Sequence, residues 1–202
     1  MRVLCTSDEV VPELPDLLKS GRIEKPDLLI SCGDLPPEYL RSLLVAFNAP
    51  LFYVRGNHDI RYERNPPTGC VNIHGRVVRF GNLRILGLEG SRWYNGGPNQ
   101  YTEGQMRHLV WRLSPRLWWT GGIDLVVTHA PPRFIHDAED LCHRGFKTYR
   151  RLIQRYAPRY FLHGHIHMHF SDEAQRITQV GGTRVINCYR CYHFEIDENA
   201  TA

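Results

Sequence analysis

Five short apolar stretches of this chain each run into a residue of a type that holds cations. Met1 to Cys5 leads to Asp8, and Asp27 to Cys32 leads to Gly33-Asp34. Leu51 to Val54 leads to Gly56-Asn57-His58-Asp59, and Ile123 to Val127 leads to Thr128-His129-Ala130. Tyr160 to Leu162 opens the block His163-Gly164-His165-Ile166-His167. Apolar runs of this length, bounded by polar and glycine punctuation, read as buried strands. Carboxylates, an amide and imidazoles therefore gather where strands end, which is where sites form in α/β sheets. The chain must fold so that the ends of distant strands meet.

The first half alternates strand and helix. A short helix is predicted near Leu14 to Lys19, and a second from Leu35-Pro36-Pro37 through about Phe47. Leu40, Leu43, Leu44 and Phe47 recur at helical spacing, and proline is tolerated in a first turn. Strand-helix-strand units of this size imply parallel pairing. Arg76 to Phe80 and Leu83 to Leu88 flank Gly81-Asn82, a hairpin signal. A loop from Gly90 to Gln100 follows. Thr102 and Gln105 form a capping box for a helix to about Leu113. A second loop, Pro131 to Gly145, precedes a helix from about Phe146 to Tyr156. Arg176 to Val180 and Thr183 to Asn187 make another hairpin around Gly181-Gly182, and Tyr192 to Asp197 reads as a last strand. No repeat or linker interrupts this order. The expectation is one domain, residues 1–202, of class α/β, with two sheets face to face and helices outside.

Charge and cysteine usage narrow the setting. Against 21 Asp and Glu stand 25 Lys and Arg, a net charge of +4, and this mild excess does not indicate nucleic acid. The basic stretch Arg144 to Arg159 reads as the solvated face of a helix. No run of about 18 apolar residues is present, and the first residues lack the apolar region of a secretory signal. Cys5, Cys32, Cys70, Cys142, Cys188 and Cys191 are expected to be free thiols in a reducing cytoplasm. The lone Cys188-x-x-Cys191 lacks the second pair a zinc ribbon needs.

Hydrolysis of a phosphate ester is served by two divalent ions about 3.5–4 Å apart. Oxygen and imidazole donors without thiolate suit Mn, Fe, Zn or Ni and argue against a closed structural zinc site. Singly, each fragment has a plainer reading: Asp8 and Asp34 as helix caps, Asn57 and His58 as turn residues. Their joint occurrence after five strands favours a metal-dependent hydrolase.

The ordered set Asp8, Gly33-Asp34, Gly56-Asn57-His58-Asp59, His129 and Gly164-His165-Ile166-His167 resembles the calcineurin-like metallophosphoesterase family. The resemblance implies a four-layer αββα sandwich of two mixed sheets. It implies hydrolysis of a phosphomonoester or phosphodiester, nucleotides among the candidates, by attack of a metal-bound hydroxide at a dinuclear centre. Asp34 would bridge two divalent ions drawn from Mn, Fe, Ni, Zn or Mg. Asp8 and His167 would complete the first position, and Asn57, His129 and His165 the second. His58 would protonate the leaving oxygen, and Asp59 would orient the His58 ring.

One position departs from the family, which opens with Asp-x-His where this chain has Asp8-Glu9-Val10. Water could take the vacant place, Glu9 could turn in, or the first position could stay empty. The alternative reading is a non-catalytic protein-binding module with a degenerate metal site on the same fold. His163 is expected near the site without being a ligand, and His169 at the surface. Arg55, Arg92 and His143 are candidates for substrate contact, with Trp93 and Tyr94 as stacking surfaces. The partner expected is a small phosphorylated molecule, not a membrane, with nucleic acid disfavoured.

Overall fold

The structure, a computed structural model, describes residues 1–197; the end of the expected domain, 198–202, lies outside the described residues. In chain order the elements are β1 (Arg2–Ser7), α1 (Leu14–Lys19), β2 (Leu28–Ser31), α2 (Pro37–Phe47), β3 (Leu51–Tyr53), β4 (Val71–Asn72), β5 (Arg76–Phe80) and β6 (Leu83–Leu88). There follow β7 (Ser91–Arg92), β8 (Gln100–Tyr101), α3 (Glu103–Trp119), β9 (Leu125–Thr128), α4 (Lys147–Tyr156), β10 (Tyr160–His163), β11 (Ile177–Val180), β12 (Thr183–Asn187) and β13 (Arg190–Glu195).

One sheet has the order β13-β1-β2-β3-β4 and the other β11-β12-β10-β9-β6-β5. Strands β1, β2 and β3 are mutually parallel, as are β6, β9, β10 and β12. Alternate residues of each strand serve different layers, because side chains alternate across a pleated sheet. Val3, Cys5, Leu28 and Ile30 face Ile85, Leu125, Val127 and Leu162 between the sheets. Leu4, Leu29 and Leu51 pack outward with Leu14, Leu40 and Leu43 of α1 and α2. Leu86, Val126 and Phe161 pack outward with Met106, Leu117, Tyr149 and Leu152 of α3 and α4. The result is the four-layer αββα sandwich. Among the described residues, no helix is long and apolar enough to cross a membrane.

Two expectations need correcting. The loop from Gly90 to Gln100 closes on itself through the parallel pair β7 and β8. The capping box of Thr102 and Gln105 is present, but α3 runs past Leu113 and through Pro115. Pro115 shares the outward face with Trp111, which is 68% exposed, so the Trp111 carbonyl left without its amide partner faces water. Buried Leu117 anchors the last turn from the other side. The histidine block does not continue as a strand: β10 ends at His163 and the backbone turns left-handed at His165, with φ +68°.

Candidate metal centre

The carboxyl ends of β1, β2 and β3 meet those of β9 and β10 at one edge of the sandwich. Two of these strand ends, and the turn after a third, reverse sharply, placing Asp8 at φ +67°, Asp34 at +57° and His165 at +68°. Non-glycine residues rarely occupy this region, and strain of this kind persists where surrounding contacts enforce it. The contacts are visible. Asp8 N–H donates to the Gly33 carbonyl (3.1 Å), and His165 N–H donates to Asp8 Oδ2 (2.9 Å). Glycines permit the approach. A Cβ on Gly56 would strike the Asp34 carboxylate, and one on Gly164 would strike Ser7 Oγ and come within 2.6 Å of Asp8 Oδ2. Gly164→Ala is therefore expected to push the His165 turn away from Asp8. Metal affinity should fall about 10–100-fold and stability by about 1–3 kcal/mol, measured by metal titration and thermal melts.

Four acceptor atoms converge at the centre. His129 Nε2 lies 3.0 Å from Asn57 Oδ1, 3.0 Å from His165 Nδ1 and 3.2 Å from Asp34 Oδ2. The outer atom of each ring is already engaged. His129 Nδ1 donates to the Cys32 carbonyl (2.8 Å), and His165 Nε2 donates to the Cys142 carbonyl (2.8 Å). These bonds assign the tautomers and turn both lone pairs inward. Asn57 Nδ2 points away, donating to Tyr94 Oη (3.3 Å). A carboxylate, an amide oxygen and two imidazole lone pairs facing one another repel unless a proton on His129 Nε2 or a metal cation lies among them. Asp34, His129 and His165 present ligand atoms within 4.8 Å of one another, so this donor set fits a divalent ion such as Mn, Fe, Ni or Zn.

The electrostatics follow. Burial works against a charged His129, yet Asp34 beside it wins and lifts its pKa to about 9. Asp34, which burial would raise, is held down at about 2, chiefly by His129. Burial, then His129, lowers His165 to about 4. At pH 7 a proton therefore sits on His129 Nε2 where a cation would bind, and the two compete. Binding of the first equivalent of metal at pH 7 should release about one proton. Calorimetry in buffers of different ionisation enthalpy measures this, and a heat independent of buffer would contradict it. Affinity should rise with pH up to about 9, the value at which His129 deprotonates.

The first position is built more thinly. Asp8 Oδ1 is buried without a hydrogen-bond partner, with His167 Nε2 at 3.4 Å. An orphaned buried carboxylate oxygen beside an imidazole offers a cation two donors, Asp8 and His167. Val10 offers no donor. Glu9 does not turn in: Tyr189 Oη donates to its carboxylate (2.5 Å), and Arg190 lies 3.6 Å away. The Tyr189 ring also stacks on His167, with centroids 5.1 Å apart. Nothing in the sequence separated Tyr189 from the other tyrosines; its role needs the register of β13 beside β1.

The remaining candidates divide. His58 is exposed beside Asp34, whose Oδ1 accepts the His58 N–H (2.8 Å). Asp59 has a task other than holding the His58 ring: its Oδ2 accepts the N–H of Asp34 (2.8 Å) and Gly56 (2.7 Å), tying two loops together. Burial, then Asp34, raises its pKa to about 7. Arg55 is committed to buried Glu89 through two 2.8 Å bonds, and Tyr101 donates to the same carboxylate. A guanidinium locked in this way is not placed to receive phosphate. The His143 ring lies 5.2 Å from His165 and is tied to Asp140 (3.0 Å). Arg92 lies in β7, two residues before Tyr94. His163 is buried, with Nε2 on His136 (2.8 Å) and Nδ1 on the Gly164 carbonyl (2.9 Å), which leaves no nitrogen for a metal. His169 is exposed against the edge of Tyr189.

The family model described as Calcineurin-like phosphoesterase matches residues 1–169. The chain belongs to this family. Among its relatives, Metallophosphoesterase domain-containing protein 1 of Homo sapiens is 24% identical over 233 residues, covering 94% of this chain and 66% of that protein. The match thus spans slightly under two thirds of the relative. The crystal structure of TT1561 of Thermus thermophilus superposes with a TM-score of 0.65 at 16% identity, covering 94% of this chain and 89% of that one. The calcineurin-like phosphoesterase YfkN of Bacillus subtilis gives a TM-score of 0.53 at 14% identity, covering 93% and 80%. At these identities the likeness of the structures speaks for the fold.

Proposed function

We propose that this chain is a metal-dependent phosphoesterase that hydrolyses a small phosphomonoester or phosphodiester. The observation that carries this reading is the inward convergence of Asp34, Asn57, His129 and His165, with every outward donor engaged. These residues would hold one ion, and Asp34, Asp8 and His167 a second. Such ions, when bound, polarise phosphoryl oxygens and acidify water.

The chain supplies the rest. Asp34 fixes the His58 backbone, and Asp59 fixes the loops on either side of it. His58, exposed at the mouth, is the group suited to giving a proton to the leaving oxygen. Its cleft, about 190 Å³, is lined by Asp34, Leu35, Pro36, Pro37, His58, Asp59, Arg61 and Tyr62. We place the protein in the cytoplasm on the strength of its six free cysteines.

Turnover of para-nitrophenyl phosphate and its bis-ester, with metal varied, tests the proposal. Hydrolysis dependent on Mn²⁺, Fe²⁺, Ni²⁺, Co²⁺, Zn²⁺ or Mg²⁺ supports it, and no turnover with any of them contradicts it. Val10 favours the second reading, a binding module with a decayed first position. Val10→His separates the two. In an enzyme limited by a weak first position, the added imidazole should tighten the second equivalent of metal by about tenfold or more and raise activity at low metal. In a module no activity would appear.

A further inference from the structure

The two helices over the second sheet carry a charge that the rest of the chain does not. Glu103–Trp119 and Lys147–Tyr156 hold seven Lys and Arg against one Glu. A chain of net +4 therefore bears +6 on these helices and −2 everywhere else. The single acid is spent inside the fold. Glu103 accepts the N–H of Lys147 (3.0 Å) and the N–H and hydroxyl of Thr148 (both 2.7 Å), capping α4. Elsewhere, Arg55, Arg84 and Arg133 are each paired with a carboxylate. On this layer, among the described residues, Arg107, Arg151 and Arg155 are in no ion pair. Their side chains meet: with Trp111, Ser114 and Tyr156 they line one cleft between α3 and α4. Like charges gathered without counter-charge repel one another until something anionic covers them.

Tryptophan sets the character of the face. Three of the chain's four tryptophans are on α3; Trp111 is 68% exposed, Trp118 81% and Trp119 84%. With about 3.6 residues per turn, Arg107, Trp111, Ser114 and Trp118 form a single stripe along the helix. Trp119 lies beside that stripe, on the side away from buried Met106 and Leu117. Indoles favour the boundary between water and hydrocarbon, where guanidinium groups meet anionic headgroups.

Shape decides among anionic partners. The cleft encloses about 180 Å³, below the roughly 300 Å³ at which small-ligand pockets begin. Single-stranded nucleic acid runs through a continuous charged groove with successive bases stacked along it. Here the cationic and aromatic groups stand on the outer faces of two helices. An exterior helix layer rich in Arg and Trp matches a planar anionic surface. The expectation against a membrane rests on the lack of a spanning segment, and lying on a surface requires none.

We propose that the outward face of α3 and α4 docks on an anionic lipid bilayer, with the arginines on phosphate headgroups and Trp111, Trp118 and Trp119 seated at the interface. The proposal does not depend on the phosphoesterase reading. Each cation near such a surface is worth about fivefold in binding.

The test is cosedimentation of the full chain with vesicles of phosphatidylcholine, alone or mixed in equal parts with phosphatidylglycerol. Binding to the mixed vesicles should be at least about tenfold tighter than to the neutral ones and should weaken as salt rises. Tryptophan emission should shift to the blue on binding, because three of the four emitters are on this face. The variant Arg107→Gln/Arg151→Gln/Arg155→Gln should bind the mixed vesicles at least about tenfold more weakly. Trp118→Ser/Trp119→Ser should also weaken binding and remove most of the blue shift. All five side chains are exposed, so both variants should melt as the wild type does, and the wild-type vesicle comparison needs neither of them. Equal affinity for neutral and mixed vesicles, binding to neither, or folded variants that bind as the wild type does overturns the proposal. So does a polythymidylate strand that is bound at concentrations where the mixed vesicles are not.

Discussion

Asp34→Asn is expected to lower metal affinity by more than about 10²-fold, with activity falling at least as far. Removing a residue that only supports a ligand costs about 10–100-fold, and Asp34 would itself be a donor to both ions. The substitution preserves shape, so the loss would report charge rather than packing. It should also change His129. Without the carboxylate the ring loses its main raising partner and its pKa should fall from near 9, which nuclear magnetic resonance of the imidazole protons can follow. Stability of the chelator-treated protein should then depend on pH in a defined way. Asp34 has a folded pKa of about 2 against 3.8, so its contribution is present above about 3.8 and lost as pH falls through 2. His129 has a folded pKa of about 9 against 6.5, so its contribution is full below 6.5 and lost as pH rises through 9. The variant should be weakened most between these limits, by roughly 3 kcal/mol, measured by denaturant unfolding across pH. A melt unchanged at pH 5 would mean that the pair does not form.

His58→Ala is the second large effect. Positioned proton transfer is typically worth about 10²–10⁴ in rate. The loss should depend on the leaving group: severe with an alkyl alcohol, which must be protonated, and slight with para-nitrophenolate, which leaves readily as an anion. Metal content should stay at the wild-type level, because His58 is exposed and its side chain is outside the convergent donor set. Equal losses on both ester types, or loss of metal, would remove the proton-donor assignment.

What the sequence disclosed depends on the range of the interaction. Asp8, Asp34, Asn57, His129, His165 and His167 were legible because each follows an apolar run, and strand length and period are local signals. The parallel order of β1, β2 and β3 followed from the intervening helices. The extension of α3 past Leu113 was not legible, because the cost of Pro115 depends on which helix face meets water, and that is set by packing against the second sheet. Asp59 was expected to orient His58, yet its carboxylate receives two amides brought together only by the left-handed turn at Asp34. Arg55 looked available for phosphate until the fold set Glu89, 34 residues away, beside it. The capture of Glu9 by Tyr189 spans 180 residues and has no local trace. The residues that converge were written in short fragments, whereas the supporting contacts came from tertiary neighbours.

Crystals soaked in manganese and measured for anomalous scattering address the central claim most directly. A strong peak enclosed by Asp34, Asn57, His129 and His165 is predicted, with a weaker one between Asp34, Asp8 and His167, where Val10 withholds a donor. Density free of any peak among these side chains, in protein shown to be folded, would contradict the account.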